Sequence, residues 1–95
     1  MDFSEDFVTK MKARMATSYH KYGPWSKNRP FVDCFANVEA RLKIYHETGN
    51  TEGLVDAANF LMMEYMKPLH PKAHFRAMES HESPAIKVLE SEKHK

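Results

Sequence analysis

From Asn50 to Met66 the chain reads NTEGLVDAANFLMMEYM, apolar around most of a helical circumference and interrupted by one narrow polar stripe. At roughly 100° per residue, Glu52, Asp56, Asn59 and Met63 fall on one edge, while Leu54, Ala57, Ala58, Leu61, Met62 and Tyr65 cover the opposite side, flanked by Val55 and Met66. A helix of this kind demands burial on more than one side. Enclosed, the stripe lines a pocket with two carboxylates and an amide; facing water, it is a solvent edge. Both alternatives stand at the level of sequence.

Two further helices precede it. Phe3, Phe7, Met11, Met15 and Tyr19 recur with helical spacing, predicting a helix from Phe3 to Tyr22 whose apolar stripe is core. Asp2 and Glu5 are spaced as a capping box, and Gly23 with Pro24 stops the helix. Pro24 to Pro30, PWSKNRP, reads as a turn-prone basic loop with the single tryptophan, Trp25, as a packed aromatic or a lid. The second helix follows, with Pro30 near its first turn, Cys34, Phe35, Val38, Leu42 and Tyr45 on its apolar face, and Asp33, Asn37 and Arg41 along one flank. Gly49 suits a left-handed stop, Asn50 or Thr51 caps the third helix, and the short connection predicts an antiparallel hairpin of helices two and three. Pro68 ends the third helix, and PLHPKAHFRAMESHESPAIK follows with little periodicity; only Ala85 to Lys93 has the makings of another short helix.

The expected fold is therefore all-α: a three-helix core in residues 1–78 and an irregular arm or short helix in residues 79–95. A single core in 95 residues leaves much surface uncovered, and the apolar third helix is overexposed in one copy, so a homo-oligomeric bundle is expected. With 42% hydrophobic and 28% charged residues the composition is that of an ordinary globular protein. Nothing resembles a signal peptide or a membrane span, and a cytosolic location is the expectation. One cysteine excludes an intrachain disulfide and a multi-cysteine zinc site, and its place on an apolar face makes Cys34 a buried thiol.

The net charge of +1 hides a segregation. Lys10, Lys12, Arg14, Lys21, Lys27 and Arg29 occupy residues 7–32 without an acid; residues 33–64 hold six acids against Arg41 and Lys43; and Lys67, Lys72 and Arg76 stand with His70 and His74 in residues 65–78, again without an acid. Such blocks either pair helix against helix or frame an anionic ligand. Membrane surfaces and duplex nucleic acid usually need a larger basic excess. Lys72, His74, Phe75 and Arg76 set cations beside an aromatic ring, which suits a phosphate and a stacked base, or else anchors a tail draped over a neighbouring subunit. His70 and His74, with His81 as a third ligand, form a weaker metal-binding pattern broken by Pro71.

The stretch Glu52, Gly53, Leu54, Val55, Asp56, Ala57, Ala58, Asn59 resembles the second metal-binding motif of the MazG-like all-α nucleoside triphosphate pyrophosphatases. In that motif a Glu precedes an Asp by one helical turn and an Asn follows. Asp56 and Asn59 match by position, and Glu52 sits one residue further back. The resemblance implies Mg²⁺ held on Glu52 and Asp56, with Asp33 or Glu39 contributing from the preceding helix. That helix departs from the family's glutamate-rich first motif, and two carboxylates are a thin set for Mg²⁺-assisted attack on a phosphoanhydride. The favoured expectation is thus a non-catalytic oligomer that binds a nucleotide-like anion through Trp25, Arg29, Lys72, His74, Phe75 and Arg76. By analogy it is similar to the small bacteriophage proteins that act as sponges for nucleotide signals. A Mg²⁺-dependent pyrophosphatase is the alternative, and a scaffold acting through protein contacts alone is a third.

Overall fold

The computed structural model describes residues 2–89. Among these it is entirely helical, with four α-helices and no strand: α1 (Glu5–Tyr22), the single turn α2 (Trp25–Asn28), α3 (Cys34–Thr48) and α4 (Glu52–Met66).

Helix α1 starts at Ser4, whose hydroxyl accepts from the Phe7 backbone N–H at 3.0 Å, so the cap is Ser4 and not the Asp2 and Glu5 pair. Glu5 and Asp6 in its first turn and His20 and Lys21 in its last complement the helix dipole. Gly23, at φ 83°, closes it. The helix rests principally on α4, so its apolar stripe has one main neighbour, and no α1 residue is fully buried. Phe7, Met11 and Met15 are half-buried, whereas Phe3, before the helix starts, and Tyr19, near its end, are exposed rather than core.

The segment expected as a loop is folded. After Pro24 the chain makes α2 and then a 3₁₀ turn over Arg29–Phe31. Pro30 lies in that turn, and α3 begins only at Cys34. Asp33 is the α3 cap, its carboxylate accepting from Ala36 N–H at 3.0 Å, and so stands before the helix instead of along its flank. Asn37 and Arg41 do form a ladder: Asn37 donates to the Asp33 carbonyl, and Arg41 donates to Asn37 Oδ1, each at 2.8 Å.

Gly49 takes the left-handed conformation (φ 76°) and donates to the Tyr45 carbonyl, ending α3. Asn50 Oδ1 then accepts from Glu52 N–H at 3.0 Å to start α4. The sequence permits close approach of α3 and α4 at Gly53, where a β-carbon would lie 2.5 Å from the Arg41 carbonyl oxygen. The fully buried apolar side chains are few: Cys34, Val55, Ala57 and Met63. The polar edge of α4 turns inward, burying Asn59 and Met63, while Leu61 and Tyr65, expected on a covered side, are exposed. Two neighbours, α1 and α3, occupy adjoining sectors of α4 and leave the remaining sector open.

Beyond Met66, residues 67–89 contain no helix or strand. Ala85 to Leu89 are therefore not helical, and the rest of the short helix expected to Lys93 lies outside the described residues. The radius of gyration of 16.1 Å exceeds the roughly 12 Å of a compact chain of this length, as an outstretched arm requires. Among the described residues no helix is long and apolar enough to cross a membrane.

Candidate ligand cleft

Because α1 leans on α4, a cleft opens above α4 toward the α2 turn and α3. Its apolar end has a volume of about 640 Å³ and is lined by Tyr19, Tyr22, Trp25, Phe31, Val32 and Phe60 among others. Its polar end, about 260 Å³, carries Arg14, Lys21, Arg41, Asp56 and Asn59. The ends adjoin: Met15, Ser18, Tyr22, Phe60 and Met63 line both. The apolar end lies in the range of ordinary small-molecule sites, which are largely apolar with a few placed polar groups.

Trp25 meets Phe60 edge to face, ring centroids 6.5 Å apart and planes at 78°. The Arg41 guanidinium lies over the Phe60 ring at 4.9 Å, and the Lys21 ammonium over Tyr22 at 5.4 Å. Cations thus stand on aromatic faces at the border between the two ends.

Asn59 is 3% exposed and lies where α4 meets α1. Its Nδ2 donates to the Met11 carbonyl at 3.1 Å, but its buried Oδ1 has no partner. The buried Trp25 Nε1 likewise lacks one. Buried polar atoms are nearly always satisfied; these two are exceptions, on residues that line opposite ends of the cleft.

The two carboxylates of the resemblance pair with one cation, Asp56 within the polar end and the exposed Glu52 outside its lining. Arg14 Nε donates to Asp56 Oδ1 at 3.2 Å, and its Nη2 lies 3.3 Å from Glu52 Oε1. The hydrogen bond to Asp56 and the charge of both carboxylates hold the Arg14 proton more tightly than usual. Glu52 and Asp56 therefore do meet at one place. Asp33 is spent on capping α3, and Glu39 is exposed and lines neither end.

Of the other residues singled out in the sequence, Trp25 lines the apolar end. Arg29 is only 3% exposed and is engaged on every side: it donates to the Lys67 carbonyl at 2.7 Å and the Val32 carbonyl at 2.8 Å, and pairs with Glu64. All its donor nitrogens are thereby bonded within the fold. Lys72, His74, Phe75 and Arg76 lie exposed on the arm and line neither end of the cleft. Arg76 pairs with Glu82 at 2.6 Å and holds its carboxyl below the usual range, while His74 Nδ1 contacts the Lys72 carbonyl at 2.8 Å. His70 Nδ1 accepts from Lys72 N–H. Among the described residues, Glu79, His81 and Glu82 bring their carboxylate and imidazole atoms within 4.8 Å of one another, but all three are exposed and Glu82 is already taken by Arg76.

Arg14, Lys21, Arg41 and Phe60 are the cleft residues that sequence reasoning did not single out as a site. The available signal was that Arg14 and Lys21 flank the Met15 stripe, and that Arg41 continues the Asn37 ladder. Comparison with known protein families, curated proteins and solved structures found no match.

Burial raises the Cys34 thiol above its ordinary range, opposed by the nearby Arg29 charge. A thiol both enclosed and protonated reacts slowly. With a disulfide reagent near neutral pH, native protein is expected to label far more slowly than protein in denaturant; equal rates would place Cys34 at the surface.

Proposed function

We propose that this chain is a non-catalytic, self-associating helical module that holds an anionic, nucleotide-like ligand in the cleft beside α1 and α4. The observation that carries this reading is the pairing of an aromatic hollow with an adjoining one that holds Arg14, Lys21 and Arg41. A planar base fits against Trp25 and Phe60, and Lys21 and Arg41 face the phosphate. Lys72 and Phe75, exposed on the arm, are left for contact with a neighbouring copy.

Calorimetry across nucleotides and cyclic nucleotides tests the reading. Micromolar to submillimolar binding is expected, weakened about tenfold by Lys21→Ala, as loss of one charge-assisted hydrogen bond implies. No heat with any of these ligands at millimolar concentration would remove it.

The proposed assembly rests on α4. Contacts between Arg29 and Glu64 at one end, and between Gly53 and Arg41 near the other, support an antiparallel α3–α4 hairpin. Leu54, Ala58, Leu61 and Tyr65 then form an outward stripe at spacings suited to a second helix, with Tyr65 73% exposed. Light scattering at micromolar concentration is expected to report a multimer, reduced toward a single subunit by Leu61→Glu; a parent that is monomeric and well folded contradicts this assembly.

A second reading, a MazG-like Mg²⁺-dependent pyrophosphatase, draws on one specific observation: Glu52 and Asp56 converge on Arg14, and Asp56 shares the polar hollow with Asn59. It requires Mg²⁺-dependent release of pyrophosphate that Asp56→Ala abolishes.

A further inference from the structure

We infer that the segment after Met66 is an exchange arm, whose Phe75 seats in an apolar groove of a second copy of this chain, between the 3₁₀ turn and the start of α3. The inference rests on the self-association proposed above and adds to it a surface distinct from the α4 stripe.

The groove has a volume of about 550 Å³ and is lined by Pro30, Phe31, Val32 and Phe35, with the arm's own root, Leu69 and His70, along its rim. Phe31 and Phe35 are 89% and 60% exposed, so the groove presents aromatic surface to water. Asp33 and Glu64 also line it, and no Lys or Arg does. The arm carries the opposite sign, with Lys67, Lys72 and Arg76 in residues 65–78 and no acid among them. Its apolar side chains are as bare as the groove: Phe75 is 83% and Ile86 92% exposed.

Among the described residues nothing covers the arm, since residues 67–89 are exposed without a break. The segment is nevertheless shaped. Arg29 holds the Lys67 carbonyl, the Leu69 N–H donates to Glu64, and a turn is closed by the Glu82 N–H on the Glu79 carbonyl and by Arg76 on Glu82. Ordering such a segment costs conformational entropy, and burial of its apolar side chains is the term that offsets it. The chain exposes 8282 Å² of surface, whereas a compact monomer of 11.1 kDa exposes about 5,700 Å². A stable interface takes about 800 Å² from each partner, so the excess is ample for one.

The position of the root selects the occupant. Because Leu69 and His70 stand at the groove's rim, two copies related by a two-fold axis at that rim place each arm over the other's groove. The contact then closes as a symmetric pair instead of growing into a filament. From His70 to Phe75 an extended chain spans about 17 Å, enough to cross from one groove to the facing one. Lys72, three residues before Phe75, comes with it toward the acidic lining.

The test places benzoylphenylalanine at position 75 of the full chain and photolyses an equal mixture of heavy-isotope-labelled and unlabelled protein. Mass spectrometry is expected to find cross-links that join position 75 of one isotopic form to residues 30–35 of the other. Phe35→Glu changes an exposed residue that lines this groove and neither end of the ligand cleft. It is expected to weaken self-association about tenfold in analytical ultracentrifugation, as loss of an aromatic interface anchor implies. Cross-links confined to one isotopic form would show that the arm folds onto its own chain, and mixed cross-links to α4 would seat it elsewhere; either overturns the inference. Self-association unmoved by Phe35→Glu, in protein folded by circular dichroism, does so as well. A multimeric parent without mixed cross-links removes the exchange alone, whereas a monomeric parent removes it together with the proposed assembly. Mixed cross-links that persist in Leu61→Glu uphold the exchange as independent of the α4 contact.

Discussion

Arg29→Ala is expected to destabilise the protein by about 3–5 kcal/mol, the usual consequence of removing one partner of a buried, hydrogen-bonded ion pair. Three elements meet on this guanidinium: the 3₁₀ turn that carries it, Glu64 on α4, and the Lys67 carbonyl where the arm departs. Truncation leaves the Val32 and Lys67 carbonyls without their donor and leaves Glu64 with only the Leu69 N–H. Small domains are stable by only about 5–15 kcal/mol, so much of the total is at stake. Thermal and urea unfolding measure it. Replacing both charged partners, Arg29→Met with Glu64→Leu, is expected to recover part of the loss, because an apolar pair leaves no uncompensated charge. A single variant as stable as the parent would mean that Arg29 lies in water.

Gly53→Ala is expected to be the next most damaging change, at about 2–3 kcal/mol, the scale of overpacking a close contact. A β-carbon there would lie 2.5 Å from the Arg41 carbonyl oxygen and 3.4 Å from Tyr45 N, and both atoms are α3 backbone that cannot rotate away. Alanine ordinarily favours a helix over glycine by about 1 kcal/mol, so the expected sign opposes intrinsic propensity. Chemical denaturation reads this directly. A stabilised Gly53→Ala protein would show that α3 and α4 do not approach at this point.

The all-helical fold was legible because its signals are local. Gly23 and Gly49 end helices where positive φ is required, and the apolar spacing of Phe7, Met11 and Met15 marks the face that α1 turns to α4. The misread features depend on the third dimension. Arg29 stands in a basic, proline-flanked segment that resembles solvated loop, and only Glu64, 35 residues away, makes it an interior residue. Arg14 and Asp56 are 42 residues apart, so nothing in either local pattern indicates that they pair. The polar edge of α4 was visible as a stripe, but whether it faced water depended on where α1 came to rest. Tyr19 shares the helical spacing of the core positions and is exposed because α1 has one main neighbour instead of two.

The site itself was half legible. Trp25 was singled out as a lone aromatic beside basic residues, and it lines the cleft. Its companion ring, Phe60, sits within an apolar run where one aromatic is indistinguishable from its neighbours in sequence. Glu52, Asp56 and Asn59 were grouped by helical angle, but the unpartnered state of Asn59 Oδ1 required the packing around it.

The fluorescence of Trp25 is the most direct test of a ligand in this cleft, since the chain has no other tryptophan to confuse the signal. Titration with adenine and guanine nucleotides at fixed ionic strength is expected to change its intensity or emission maximum saturably, with the response weakened by Lys21→Ala and by Phe60→Leu. An emission spectrum unmoved by every nucleotide up to millimolar concentration, in protein shown by circular dichroism to be folded, would contradict the account.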